Sequence, residues 1–194
     1  QIRLGPNRVG PKGILQSLAD TLKLLVKEGM TPGGADKFLF NLAPLVAMIV
    51  AMLLMAPIAF AKDFQLWDLN IGVLYISAVS SISVISILMA GWASNNKYSL
   101  MGAMRSGAQI VSYELSAGLA ILSVVVLTGS LNLNEIILSQ ADGWWIFKGH
   151  IPMLIAFVIF IIAVTAETNR APFDLAEAES ELTAGFHTEY SGMK

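Results

Sequence analysis

The sequence contains no cysteine and has few charged residues. Without cysteine, the chain has no disulfide framework and no thiolate that could bind zinc or an iron–sulfur cluster. The only histidines, His150 and His187, are too few for a bis-histidine haem bundle, and we expect no metal site and no nucleic-acid partner. Charged residues make up 13% of the chain, about half of the roughly 25% typical of soluble domains. This composition excludes a soluble domain of the usual kind.

The chain instead contains long runs of apolar residues. The chain is 55% hydrophobic and its mean hydropathy is +0.66. Four runs are each close to the roughly 20 residues that a helix needs to cross the membrane, and they cover 38–61, 70–93, 107–129 and 150–168. Because an open sheet leaves backbone groups unpaired in lipid, the sequence predicts an all-α transmembrane bundle, with residues 1–194 as one membrane domain. Since the chain runs from Gln1 to Lys194, we also expect an internal fragment with further spans on both sides.

The basic residues predict the orientation. Lysine and arginine are concentrated in 1–37, 94–106 and 169–194, and the alternate connections contain only Lys62 and Lys148. By the positive-inside rule, the three basic segments lie on the cytoplasmic side. Segment 1–37 begins with a loop of two Gly-Pro pairs, and the leucines that follow at helical spacing predict an amphipathic helix lying in the membrane interface.

Glu114 is the one carboxylate in the interior of a predicted span, about eight residues from its start, whereas Glu167 lies at the very end of the fourth run. Because a charged side chain at the bilayer centre costs at least about 2.5 kcal/mol, it must face protein or water. Gly107 and Gly118 have the small side chains that let a neighbouring helix approach this region closely. Two interpretations remain open: a carboxyl group that takes up and releases protons, and a permanently protonated one with a structural hydrogen bond.

A second group of carboxylates follows the fourth run. Glu167 closes that run and Pro172 is placed to begin a new helix. The acids beyond it are Asp174, Glu177, Glu179 and Glu181. Like charges this close repel one another, so some should be protonated or paired, and Arg170 is the nearest counter-charge. A solvated acidic loop is the alternative, although interleaved apolar residues such as Phe173 favour a packed segment.

Four motifs resemble one known family. They are GPNRVGP at 5–11, SYE at 112–114, AETNRAPFDLAEAESEL at 166–182 and EYSG at 189–192. Together with the amphipathic helix, they make the whole chain similar to the H-subunit family of respiratory complex I, the proton-pumping NADH-quinone oxidoreductase. The region that matches would be the family's second to fifth spans.

The resemblance implies a role for individual residues. It implies a membrane subunit that forms part of a quinone-binding chamber, with ubiquinone or menaquinone as the substrate and with flavin and iron–sulfur clusters only in partner subunits. The implied acidic route for protons comprises Glu114, Glu167, Asp174, Glu177, Glu179 and Glu181. The residues implied to line or shape the quinone cavity and its junction are Arg3, Arg8, Asp20, Lys23, Arg170 and Phe173. The implied partners are the quinone-site subunits of the peripheral arm, the small membrane subunits beside it and the lipid bilayer.

Three other functions remain open. The first is the homologous membrane subunit of an energy-converting hydrogenase or of a ferredoxin- or deazaflavin-linked complex, which would not need a quinone. The second is a secondary ion transporter that uses Glu114, and the third is a passive anchor for a peripheral enzyme. A transporter would have inverted repeats and helices broken at mid-membrane, and neither is visible in the sequence. We expect a multi-pass protein of the bacterial inner membrane, with the mitochondrial inner and thylakoid membranes as alternatives.

Overall fold

A computed structural model describes residues 5–61, 64–169, 172–173 and 185–192. The chain divides into two compact units. Residues 1–33 and 189–194 form one of them, called here the N-terminal unit, and residues 34–188 form the other, called the helical unit.

The N-terminal unit contains helix α1, Gln16–Val26, which follows a short 3-10 turn at Pro11–Gly13. Gly13 has a φ of 82°, and a Cβ there would lie 2.0 Å from the carbonyl oxygen of Pro6, so only glycine fits this turn. Along α1 the leucines of the predicted apolar face, including Leu18 and Leu22, are exposed. The Met30 amide donates a 2.9 Å hydrogen bond to Ser191 Oγ, which joins the two separate stretches of this unit.

In its described residues the helical unit contains four long helices: α2 (Lys37–Met55), α3 (Gly72–Ala93), α4 (Lys97–Thr128) and, after two short ones, α7 (His150–Glu167). The short helices are α5 (Leu133–Leu138) and α6 (Trp145–Lys148). By length and composition, each of the four long helices can cross a membrane. The predicted all-α, polytopic transmembrane bundle is therefore confirmed.

Two helix ends differ from the predicted runs. Helix α2 ends at Met55, six residues before the end of run 38–61, because Pro57 has no N–H to continue the helix. Helix α4 begins at Lys97, ten residues before run 107–129, and Asn96 caps it by accepting from the Tyr98 amide at 3.0 Å. Most of the predicted connection 94–106 is therefore helical. Its added turns carry Lys97 and Arg105, so the apolar part of α4 still begins near residue 107.

The long helices pack as a row in the order α2, α3, α4 and α7. Helices α3 and α4 approach closely at Gly91, where a Cβ would lie 2.9 Å from the carbonyl oxygen of Ser99. Gly107 also faces α3, with Leu88 Cδ2 3.1 Å from where its Cβ would stand. A Cβ added at Gly118, which was predicted to allow close helix packing, would meet no heavy atom within 4 Å in the described part of the chain, apart from its own helix backbone and chain neighbours.

A candidate carboxylate site between two spans

Glu114 lies seventeen residues from Lys97 and fourteen from Thr128 in α4, which is about 25 Å and 21 Å along the helix. The side chain is partly buried and faces α3. Its Oε1 atom accepts hydrogen bonds from Ser80 Oγ at 3.1 Å and from Ser81 Oγ at 2.5 Å. The carboxylate thus faces protein, as its position in a span requires, and two hydroxyl donors from the neighbouring helix hold it.

The two serines share a second acceptor as well. Ser80 Oγ lies 2.9 Å and Ser81 Oγ 3.0 Å from the carbonyl oxygen of Ser77, one turn earlier in α3. Spacing of three and four residues brings both hydroxyls over the same carbonyl. The site therefore has two hydroxyl groups between one backbone oxygen and one carboxylate oxygen.

Glu167, the last residue of α7, interacts electrostatically with Glu114. Two carboxylates that repel each other are unfavourable when both are ionised, so the charge state of one affects the other. Glu114 and Glu167 are the two acids of the predicted proton route that lie within the described residues.

Gln109 fixes the chain just beyond α7 onto α4. Its Nε2 atom donates to the carbonyl oxygen of Phe173 at 2.8 Å and to that of Ala166 at 3.3 Å. Tyr113, one turn further along α4, contacts the Phe173 ring edge-on with the ring centres 5.1 Å apart. Phe173, predicted to shape the quinone cavity, therefore packs against the turn of α4 that leads to Glu114.

The stretch 185–188 is also fixed on α4, nearer its start. Ser99 Oγ donates to the carbonyl oxygen of Phe186 at 2.6 Å. A Cβ at Gly102 would lie 2.8 Å from both the carbonyl carbon of Gly185 and the amide nitrogen of Phe186. The described residues on either side of 174–184, Phe173 and Gly185–Phe186, thus both contact the helix that carries Glu114.

The other predicted site residues belong to the N-terminal unit or lie outside the described part of the chain. Arg8, Asp20 and Lys23 are in the N-terminal unit, where Asp20 Oδ1 accepts from Gln16 Nε2 at 3.0 Å. Residues outside the described part of the chain are Arg3, Arg170, Asp174, Glu177, Glu179 and Glu181. In the described residues, no group of three or more histidine, aspartate or glutamate side chains is placed to bind a metal ion.

An apolar cavity of about 340 Å³ lies in the helical unit, among α3, α4, α5, α6 and α7. Its walls include Val73, Ile76, Val124, Met153 and Phe157. Phe173, the one described residue of the helical unit that was predicted to line a quinone cavity, does not line it. Glu114 does not line it either.

Sequence reasoning missed Ser80 and Ser81. The signal was present, because Ser77, Ser80 and Ser81 repeat at helical spacing within an otherwise apolar run. Which face of α3 meets Glu114 depends on how the two helices are rotated about their axes, and no single run specifies that rotation. Gln109 is likewise a polar residue within an apolar run, and its contact with Phe173 depends on where the chain turns after α7.

These features define a multi-pass membrane protein with a hydrogen-bonded carboxylate inside its helical bundle. A family model described as NADH dehydrogenase matches residues 1–194, and the chain belongs to that family.

Three similar bacterial proteins are each named as the H subunit of NADH-quinone oxidoreductase. The H subunit of NADH-quinone oxidoreductase from Phocaeicola vulgatus is 58% identical over 193 residues, covering 100% of this chain and 54% of the relative. Its namesake in Bacteroides thetaiotaomicron is 60% identical with the same coverage. The namesake from Dehalococcoides mccartyi strain CBDB1 is 57% identical over 194 residues, again covering 100% and 54%. The chain spans about half the length of the curated relatives it matches.

Proposed function

We propose that this chain is part of the membrane subunit of a proton-pumping NADH:quinone oxidoreductase. In this role it forms part of the quinone-binding chamber and couples quinone reduction to proton translocation. The observation that carries the proposal is the match of the whole chain, at 56–61% identity, to proteins with that name. Their name also favours the quinone reductase over the homologous component of an energy-converting hydrogenase.

The carboxylate site is consistent with this role. A proton path through a membrane needs groups that hold a proton at a depth where water is scarce, and buried carboxylates serve this purpose in pumps. Glu114 has the required position in α4, and its electrostatic interaction with Glu167 extends the site toward the end of α7. A passive anchor has no need for a carboxylate in the middle of a span.

The proposal includes partners and substrate. Ubiquinone or menaquinone is the substrate, and the partners are the peripheral-arm subunits at the quinone site and the neighbouring small membrane subunits. Since the chain has no cysteine, thiolate-bound iron–sulfur clusters cannot reside in it, and they belong with flavin to those partners. The relatives above are bacterial, which favours the bacterial cell membrane.

The first test replaces carboxylates in the assembled complex. We expect Glu114→Gln to lower NADH-driven quinone reduction and proton pumping at least about tenfold while assembly is retained. The reason is that an amide side chain cannot take up and release a proton near neutral pH. Glu177→Gln and Glu181→Gln, in the acidic motif, should also lower inhibitor-sensitive turnover. The measurements are quinone reduction by membranes and the number of protons moved per NADH.

Glu135→Gln is the matched control. It makes the same chemical change at an acid in α5, away from the carboxylate site, and should leave both rates unchanged. Wild-type turnover and proton stoichiometry in Glu114→Gln would remove this residue from the proton path. Unchanged activity in all three variants of the proposed path would leave the chain as a scaffold.

A further inference from the structure

Each of the two serine hydroxyls at Glu114 has one hydrogen and two acceptors within reach. Ser80 Oγ and Ser81 Oγ each lie within hydrogen-bond distance of both Ser77 O and Glu114 Oε1, at distances between 2.5 and 3.1 Å. A serine hydroxyl carries a single hydrogen and can accept through its oxygen. Each serine can therefore donate to only one of its two acceptors at a time, and rotation about its C–O bond exchanges them.

This geometry gives two complete hydrogen-bond arrangements. When Glu114 is ionised, both hydroxyls turn toward Oε1, where charge-assisted hydrogen bonds are the stronger ones. When a proton joins Oε1, the new O–H group donates to a serine oxygen, and that serine turns its own hydrogen to the carbonyl of Ser77. One O–H bond forms at Glu114, and no hydrogen leaves either serine.

From this geometry we infer that Ser80 and Ser81 are positioning residues that hold Glu114 in both its ionised and its protonated state. An unpaired hydrogen-bonding group inside a span is costly, and the paired hydroxyls avoid this cost in either state. Glu114 can then take up and release a proton without moving away from α3. The inference rests on the proposed function, since it assumes that Glu114 exchanges protons during turnover.

Ser86 provides a matched control on the same helix. Its hydroxyl donates to the carbonyl oxygen of Ser83 at 2.6 Å, the same three-residue spacing as Ser80 with Ser77, and the side chain is buried. Its described hydrogen bond is to the backbone of its own helix and not to a carboxylate. Ser86→Ala therefore removes a similar hydroxyl without affecting Glu114.

The experiment compares turnover of the intact complex in native membranes. We expect the double variant Ser80→Ala/Ser81→Ala to lower the kcat of NADH-driven quinone reduction about tenfold, on the order expected for losing a hydrogen bond to a charged group. The KM for quinone should stay unchanged, because neither serine is among the residues proposed to line the quinone cavity. Ser80→Thr/Ser81→Thr, which keeps both hydroxyls, should restore most of the rate, and Ser86→Ala should match the wild type.

Infrared difference spectroscopy of the same complexes tests the hydrogen bonds directly. The carboxyl C=O band that disappears in Glu114→Gln belongs to Glu114, and it should move to higher frequency in the double alanine variant. An unmoved band with wild-type kcat in that variant, while Glu114→Gln is inactive, would overturn the serine role and leave the proposed function intact. Full activity in Glu114→Gln would instead contradict the proposed function at this residue.

Two further outcomes also decide the inference. Threonine variants that assemble but stay as slow as the alanine variant would mean that the serines act through packing, which would overturn it. If the double alanine variant does not assemble, Ser81→Ala alone decides, because Ser81 is exposed and its removal leaves no buried gap. A lower kcat and a shifted carboxyl band in that single variant would support the inference. An unchanged kcat together with an unmoved band would overturn it.

Discussion

A carboxylate inside an apolar helix can form hydrogen bonds only with the few polar atoms within its reach. At Glu114 these atoms come from serines, whose short side chains can pair with their own helix backbone when the carboxylate does not need them. Serine therefore costs little in a span, yet it supplies donors at a defined distance. Gln109 and Tyr113 also act through single side-chain contacts. Each contacts Phe173, the residue just before the acids at 174–181.

Tyr190 in the N-terminal unit allows a prediction about pH. Burial raises the pKa of the Tyr190 phenol from 10.0 to about 12. Because the pKa is higher in the folded than in the unfolded chain, the contribution of Tyr190 to the free energy of unfolding is fully present below about pH 10. It is lost as the pH rises from about 10 to about 12.

The measurement is tyrosinate absorbance in wild type minus Tyr190→Phe. In the native protein we expect the difference to develop near pH 12, and in denaturant near pH 10. A native difference that is complete at pH 10 would show that the Tyr190 hydroxyl is solvated.

At the scale of single elements, glycines decide where the chain can approach α4. At Gly102 the backbone of the stretch 185–188 lies so close that a methyl group has no room, whereas Gly118 on the same helix has open space around it in the described structure. The two positions therefore provide a matched pair for the same substitution.

We expect Gly102→Ala to displace the stretch 185–188 and to lower the free energy of unfolding by about 1–3 kcal/mol, the usual range for overpacking. Gly118→Ala should be neutral or should stabilise α4 by up to about 1 kcal/mol, because alanine favours helix over glycine. Thermal unfolding of the solubilised protein measures both effects. Labelling of a His187→Cys reporter, in a chain without other cysteines, should become faster only with Gly102→Ala. Equal stability of the two variants would contradict the close contact.

For the whole molecule, the number of crossings and the N-terminal unit agree on the topology. The four candidate spans found in the described residues return the chain to the side from which it started. The hydrogen bond between the Met30 amide and Ser191 Oγ joins the stretches before α2 and after α7, which requires them to be on the same side. The basic residues predict that this side is the cytoplasmic one.

Single cysteines test this orientation, since the chain has none of its own. We expect Ser17→Cys in α1 to react with a membrane-impermeant maleimide only from the cytoplasmic side, and Asp142→Cys, between α5 and α6, only from the opposite side. Both positions are exposed. Sealed vesicles of the two orientations provide the comparison, and the opposite labelling pattern would reverse the topology.

The sequence by itself determined the class of protein and its family. Runs of apolar residues specify spans locally, because each helix pairs its own backbone groups and needs no partner to do so. The motifs around Glu114 and Pro172 were long enough to indicate the family, and the match of the whole chain confirmed it. Helix ends were less well predicted, since capping by Asn96 and the missing N–H of Pro57 outweighed hydropathy.

The tertiary structure alone decided which groups meet at the site. The contact of Glu114 with Ser80 and Ser81 joins residues more than thirty positions apart in sequence. It depends on the rotation and depth of α3 against α4, which the close approach at Gly91 helps to set. The attachment of Phe173 and Phe186 to α4 likewise follows from packing between distant segments. The hydropathy of a segment determines whether it crosses the membrane as a helix. The neighbouring helices determine which way each of its side chains faces.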